Sequence, residues 1–468
     1  MSDVAVPLVE PLDYVDAASA FAAFADDGHA VLLDSALQGH ASGRYSYIAP
    51  DPFRVLSSRD GVVECDGSRV EGDPFSTLRA ELARSSLRTI AGLPPFQGGA
   101  VGYFGYELAQ HLERVPLPSR DDMRFPDLVL GFHDVVIAFD HHECRAWIYS
   151  SGLPETGAEK QRARASERLH EIAARVRSVP PPEAPRAPAR AVEVTSNFTR
   201  AAYEAAVQRV IDYILAGDIF QANLSQRFSA ELPPELTPWD LYRRQREINP
   251  APFAAYLKLG DIVVASASPE RFLRVLDGRV ETCPIKGTRP RGRTLDEDRV
   301  LAAELESSAK DRAENVMIVD LLRNDLSRVC RDGSVDVPAL CELERFATVF
   351  HLVSTVTGVL RQGVGAVDLL AACFPGGSIT GAPKIRAMEI IAELEQVRRG
   401  PYCGSVAWLG FDGAMDSSIV IRTYALRGRR IAFQAGGGIV ADSRPAAEYD
   451  ETLAKAAALI RGLSGTLR

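Results

Sequence analysis

The chain has 468 residues, 53 basic against 62 acidic side chains for a net charge of −9, and a hydrophobic fraction of 46%. These values exclude wholesale disorder, and the acidic balance argues against a nucleic-acid or anionic-membrane binder. Seven cysteines, an odd number without a Cys-x-x-Cys pair, point to free thiols rather than a disulfide framework.

The N-terminus, MSDVAVPLVEPLDYVD, has no basic stretch followed by an apolar one. No run approaches the roughly 18 apolar residues of a membrane span. The expectation is a cytoplasmic protein. Only six of the basic residues are lysines. Each lysine therefore carries information, because arginine cannot replace an amine that must lose its proton.

Ala30–Ala36 (AVLLDSA) and Val129–Phe139 (VLGFHDVVIAF) are apolar, β-branched runs bounded by turn residues, and predict strand. Gly98–Leu108 is rich in glycine and aromatic residues, as close strand packing requires. Thr156–Val179 predicts a helix. Pro180–Arg190 (PPPEAPRAPAR) fits neither helix nor central strand and predicts an extended connector. Three regions follow: 1–150, a helix and Pro-rich connector over 151–193, and 194–468. In the last, Val207, Val210, Ile211, Ile214 and Leu215 mark one helix face, which Gly217 ends. Strands are predicted at Ile219–Phe228, Ile262–Ser266, Arg271–Leu276 and Ile431–Ala435. Thr294–Glu297 is a capping box. Helices are predicted at Ala309–Leu326, at Pro383–Gln396 with Pro383 as first residue, and at Pro445–Leu463. Strand and helix runs without regular βαβ alternation predict an α+β, layered α/β fold in a single fused body.

Asp311 with Glu314, and Glu448 with Glu451, have i, i+3 spacing inside predicted helices, so each pair shares a helix face. Two such faces brought together would offer oxygen ligands to a hard cation; by spacing alone they serve equally as solvated acidic faces. Phe374–Lys384 (FPGGSITGAPK) and Gln434–Ser443 (QAGGGIVADS) are glycine-rich and would present backbone N–H groups to anions, or form ordinary turns. Neither is a phosphate loop. Lys286, in PIKGT, sits where a solvated surface lysine is poorly placed, and burial would free its amine as a nucleophile. Glu270, in SASPERF, is a salt-bridge partner or a general acid. His351 lies in an apolar β-branched run, and is a hydrogen-bonded core residue or a catalytic one.

Nine segments, GDIFQANLSQRF, SASPERFL, PIKGT, KDRAENVMIVDLLRND, HLVSTV, FPGGSITGAPK, IRT, AGGGIVADS and EYDETLAK, occur in that order over Gly217–Lys455. Together they resemble the chorismate-utilising enzymes, which include component I of anthranilate synthase and of aminodeoxychorismate synthase and the isochorismate and salicylate synthases. The N-terminal half resembles the family through LLDSA, GRYSYI and GGAVGYFGYEL. The resemblance implies a large β-sandwich-like core ringed by helices, chorismate as substrate and Mg²⁺ as cofactor. It implies Glu314 and Glu451 as metal ligands, with Asp311 and Glu448 orienting them or holding bound water. Gly436, Gly437, Gly438 and Lys455 would hold the ring carboxylate, and Arg422 and Tyr402 the enolpyruvyl carboxylate. Thr380 and Gly381 would line the pocket beside His351, and Glu270 would protonate the departing C4 hydroxyl.

Two positions bear on the branch. Gln221 stands where water-adding members resemble a basic lysine, and an amide cannot deprotonate water. Lys286 stands where anthranilate synthases resemble PIAGT; its amine would attack C2, as in the aminodeoxychorismate branch. Anthranilate synthesis and a catalytically inactive chorismate binder remain as alternatives. Without a Gly-x-Cys-x-Gly nucleophile turn, ammonia would come from a separate glutamine amidotransferase subunit. LLDSA, with Asp34 and Ser35, and NPAPF, with Asn249, Pro250 and Phe253, resemble tryptophan-binding elements, and are equally plain packing.

Overall fold

The computed structural model describes residues 4–40, 42–180, 183–345 and 349–467. Two large, mainly antiparallel sheets dominate, one of 13 strands and one of 12. The apolar alternation of their strands is satisfied on two faces. Val31, Tyr47, Val136, Leu257 and Val264 of the first sheet meet Val101, Tyr103, Val406 and Trp408 of the second in one buried cluster. Phe96 stacks on Trp408 at 5.0 Å and meets Tyr47 edge-on at 5.6 Å, which ties the sheets together. The outer face of the first sheet packs against helices that include Ala17–Phe21, Ala158–Arg177, Pro238–Ile248 and Pro445–Gly462. The outer face of the second packs against Pro74–Ala83, Ala309–Ser327 and Ala366–Cys373. The result is the layered α/β body expected, a sandwich of sheets between helices with no closed barrel.

Residues 1–150 and the later chain share both sheets. In the first, the strand His29–Asp34 pairs antiparallel with Phe253–Leu259. In the second, Gly99–Phe104 pairs with Ser405–Gly410. That seam needs glycine: a Cβ on Gly99 would stand 2.1 Å from the carbonyl oxygen of Leu409.

The predicted helices appear at Ala158–Arg177, Arg200–Leu215, Leu295–Ser307, Ala309–Ser327, Lys384–Glu395 and Pro445–Gly462. Gly217, at φ +85°, follows the second of them, and Thr294 caps the third by accepting from Glu297 N at 3.2 Å. Pro383 takes the cap position rather than the first helical residue. The described part of Pro180–Arg190 contains neither helix nor strand. The run Val129–Phe139 differs from a simple strand. It divides into Leu128–His133 of the second sheet and Val135–Asp140 of the first. The crossover residue, Asp134, is fully buried and takes an ion pair from Arg164 at 3.2 Å. No described helix is long and apolar enough to cross a membrane.

Candidate active site

A cavity of about 520 Å³ opens where the two halves of the predicted chemistry meet. The strand Ile285–Pro290 brings Lys286 to its wall, and the helix Ala309–Ser327 brings Lys310, Asp311 and Glu314. Ser308 caps that helix by accepting from Asp311 N at 3.3 Å, so both carboxylates fall in its first turns. The strand Arg430–Ile439 adds Gly436 and Gly438, and the helix Pro445–Gly462 adds Glu448, Glu451 and Lys455. Glu270, Ser378, Tyr402 and Arg422 complete the chemically active lining.

Acidic and basic groups are interleaved. Lys455 Nζ lies 2.6 Å from Glu451 Oε1 and donates to the carbonyl of Gly436 at 2.8 Å. Lys310 stands 3.9 Å from Glu314. Ser443 Oγ donates to Glu448 Oε1 at 2.7 Å. Arg422, itself at φ +54°, donates to the carbonyl of Lys455. Ser378 joins two of the candidate catalytic groups: its Oγ donates to Glu270 Oε1 at 2.7 Å, and its carbonyl accepts from Lys286 Nζ at 3.1 Å.

Burial sets the proton affinities. It raises the Glu270 carboxyl above the usual range, with Ser378 and Lys286 opposing. It lowers the Lys286 amine despite the pull of Glu314 and Glu270. Glu314 and Glu448 are also raised by burial, each further by neighbouring carboxylates. For Glu451 burial works upward, yet Lys455 and Lys310 outweigh it and the net shift is down. Burial lowers the Arg422 guanidinium, as it pushes the Tyr402 phenol well up. The cavity thus holds an acid that gives up its proton less readily than usual and an amine that gives one up more readily.

The residues suit a hard cation. A Cβ on Gly437 would lie 3.2 Å from Glu448 Oε2 and 3.4 Å from Glu451 Oε1, so these two oxygens converge above a residue with no side chain. Glu314 faces the same space. Among the described residues no three acidic, histidine or cysteine side chains close into a cage. Mg²⁺ needs none, because it keeps water and substrate oxygens alongside one or two carboxylates.

Thr380, Gly381, Gly437 and His351 are absent from the lining. The glycine segments are not helix-opening nests. Gly436, Gly437 and Gly438 lie inside a strand paired with Gln221–Glu231, where a Cβ on Gly438 would stand 1.9 Å from Gln221 Nε2. Gly381 and Ala382 pair with the same strand, and Gly381, at φ +151°, would put a Cβ 2.2 Å from the carbonyl of Gln221. Thr380 is fully buried and donates to the carbonyl of Gly376 at 3.0 Å. Backbone packing claims these two residues, and the neighbouring Ser378 and Ile379 form the wall instead. His351 lies on the strand Val349–Val359, paired beside the lining strand opposite Thr288, with Nδ1 2.9 Å from Thr288 Oγ1, and burial lowers it to about 4.

Ser378, Asn223 and Lys310 line the cavity without having been singled out. Lys310 was detectable as one of six lysines, four residues before Glu314. A second cavity, of about 410 Å³, includes Asp34, Ser35 and Phe253. Asn249 and Pro250 are absent from its lining; Asn249 ends the helix Pro238–Ile248 and Pro250 is exposed.

A family model for chorismate binding enzymes matches residues 29–461. The chain belongs to that family. Anthranilate synthase component 1 of Thermus thermophilus is 44% identical over 435 residues, 92% of this chain and 91% of that protein. Aminodeoxychorismate synthase component 1 of Bacillus subtilis is 40% identical over 442 residues, 93% of this chain and 92% of that protein. Among solved structures, anthranilate synthase component I from Streptococcus pneumoniae superposes with a TM-score of 0.78 at 35% identity, covering 89% of this chain and 92% of that one. The relatives therefore carry two different names. Family membership makes the chain a chorismate-utilising enzyme, and the cavity lined by Lys286, Glu270 and Glu451 is its candidate active site.

Proposed function

We propose that the chain is the chorismate-aminating component of an aminodeoxychorismate synthase, converting chorismate and ammonia to 4-amino-4-deoxychorismate and water. The observation that carries this reading is Lys286: a buried amine of lowered proton affinity in the cavity wall, held by the same residue that holds Glu270. The neutral amine attacks C2 as the ring double bond shifts and the C4 hydroxyl departs. Glu270, whose proton affinity burial raises, donates its proton to that hydroxyl, which leaves as water. Ammonia then adds at C4, the double bond returns, the Lys286 amine is released from C2, and the new ammonium at C4 passes a proton back to the Glu270 carboxylate. Glu314, Glu448 and Glu451 would hold Mg²⁺, which would neutralise the ring carboxylate. Arg422, Lys455 and Tyr402 would bind and orient the two carboxylates of the substrate.

The reading gives ammonia to a separate glutamine amidotransferase subunit and places the pair in the cytoplasm, in the supply of 4-aminobenzoate. The component 1 names of the relatives support a partner. The second cavity, with Asp34, Ser35 and Phe253, is where tryptophan would sit. Anthranilate synthesis is the second reading, favoured by relatives such as that of Thermus thermophilus.

The test is product analysis of two variants. Lys286→Ala would remove the nucleophile and open space beside C2, so 4-amino-4-deoxychorismate is lost and a trace of 2-amino product or anthranilate appears. Lys286→Arg would be dead in both reactions, because a guanidinium stays protonated and fills the space. Full rate and unchanged product in Lys286→Arg would reduce the lysine to a positive contact and withdraw the assignment.

A further inference from the structure

Arg399 lies outside the cavity, in the segment that follows the helix Lys384–Glu395, and its side chain is 1% exposed. A buried guanidinium is costly unless every donor is matched, and here each nitrogen donates. Nε and Nη2 grip the two oxygens of Glu395 at 2.9 and 2.7 Å. Nη1 donates to the carbonyl of Ile379 at 3.1 Å, and Nη2 to the carbonyl of Asn223 at 2.7 Å. The guanidinium carbon is 5.6 Å from the ring centre of Tyr402. The main chain is held as firmly: Arg399 N and Gly400 N donate to the two oxygens of Glu107 at 2.7 and 2.9 Å. Gln434 Nε2 donates to the carbonyl of Arg399 at 3.0 Å.

Four of the partners share one property. Ile379, Asn223, Tyr402 and Gln434 all line the active-site cavity, and they come from four separate segments. Ile379 directly follows Ser378, which holds Glu270 and Lys286. The ion pair with Glu395 by itself would explain a structural arginine. It does not explain a fork whose remaining donors end on the backbone of two different cavity walls.

We propose that Arg399 is a positioning residue, the clamp that fixes the wall carrying Ser378 relative to Asn223 and Tyr402. It acts on the reaction through Ser378, by holding Glu270 and Lys286 at a set separation. The inference rests on the proposed roles of those two residues. A guanidinium suits the task because its planar fork reaches several acceptors in fixed directions, whereas an ammonium is a point donor on a flexible stem.

The test is Arg399→Lys in the full chain, assayed for chorismate consumption with Mg²⁺ and ammonium, with the folded fraction measured by circular dichroism. The charge facing Glu395 is kept and the fork is lost. The expected result is a fall in kcat per folded molecule of about tenfold to hundredfold, with KM for chorismate changed less than kcat. A merely structural arginine would lower the folded fraction and leave kcat per folded molecule unchanged. Glu107→Gln is the second variant, since an amide offers one acceptor oxygen to the two N–H groups that a carboxylate holds. It should lower kcat in the same direction by less. Wild-type kcat per folded molecule in Arg399→Lys overturns the proposal. If that variant does not fold, wild-type kcat in Glu107→Gln does so. An unexpected wild-type product would refute the assigned reaction and leave this variant-to-wild-type ratio intact.

Discussion

Ser378 Oγ donates to Glu270 Oε1 at 2.7 Å, so a serine hydroxyl is aimed at a carboxyl whose proton affinity burial raises. The donated bond favours the carboxylate and thus holds the shift in check. Removing it by Ser378→Ala should raise Glu270 further. The arm of the kcat against pH profile that falls as Glu270 loses its proton would then move to higher pH. The maximum would drop about tenfold, as expected for a loosened acid. A profile recorded with ammonium as donor tests this; an arm that stays put or moves to lower pH contradicts it.

Metal dependence is the second expectation. Glu314→Gln and Glu451→Gln each replace a carboxylate that would hold Mg²⁺ by a neutral amide. Both should abolish turnover at limiting Mg²⁺ while circular dichroism reports an intact fold. Normal activity of both in a Mg²⁺ titration would remove the carboxylates from the metal site.

Dependence on a partner is the third. The purified chain should turn over chorismate with ammonium at alkaline pH and be inactive with glutamine alone. Adding a cognate glutaminase should restore glutamine-driven turnover. Release of glutamate from glutamine by the single chain would contradict the expectation.

The fourth concerns stability. His133 is 1% exposed, with Nδ1 3.0 Å from the carbonyl of Pro50. Burial lowers it to about 4 from the ordinary 6.5. Between those values the unfolded chain binds a proton that the folded chain refuses. The stability due to the neutral ring is therefore present above the unfolded value and is lost as pH falls toward the folded one, by up to about 3 kcal/mol. His133→Gln should show a shallower decline of Tm between about pH 7 and about pH 5 than the wild type. Parallel declines would mean that His133 titrates alike in both states. Other groups, such as Glu107 at about 7, shift both proteins and cancel in the comparison.

Much of this molecule was legible because its signals are local. Thr294 capping the helix Leu295–Ser307, Gly217 behind Arg200–Leu215, and the i, i+3 pairs Asp311 with Glu314 and Glu448 with Glu451 follow from spacing alone. The crossing at Asp134 was not, because an unbroken apolar run looks the same whether it stays in one sheet or changes sheets. Nor was the fate of Gly381. Glycine permits both a ligand-binding nest and a close strand approach, and only the neighbouring Gln221 decides between them. Ser378 and Arg399 act through contacts more than 90 residues apart or through backbone carbonyls, which no sequence pattern displays.

The central claim is the position of amination, and product identification tests it most directly. Wild-type chain incubated with chorismate, Mg²⁺ and ammonium, and followed by chromatography and mass spectrometry, should yield 4-amino-4-deoxychorismate with retention of the enolpyruvyl group. Anthranilate as the main product, with release of pyruvate, would place amination at C2 and contradict the role given to Lys286.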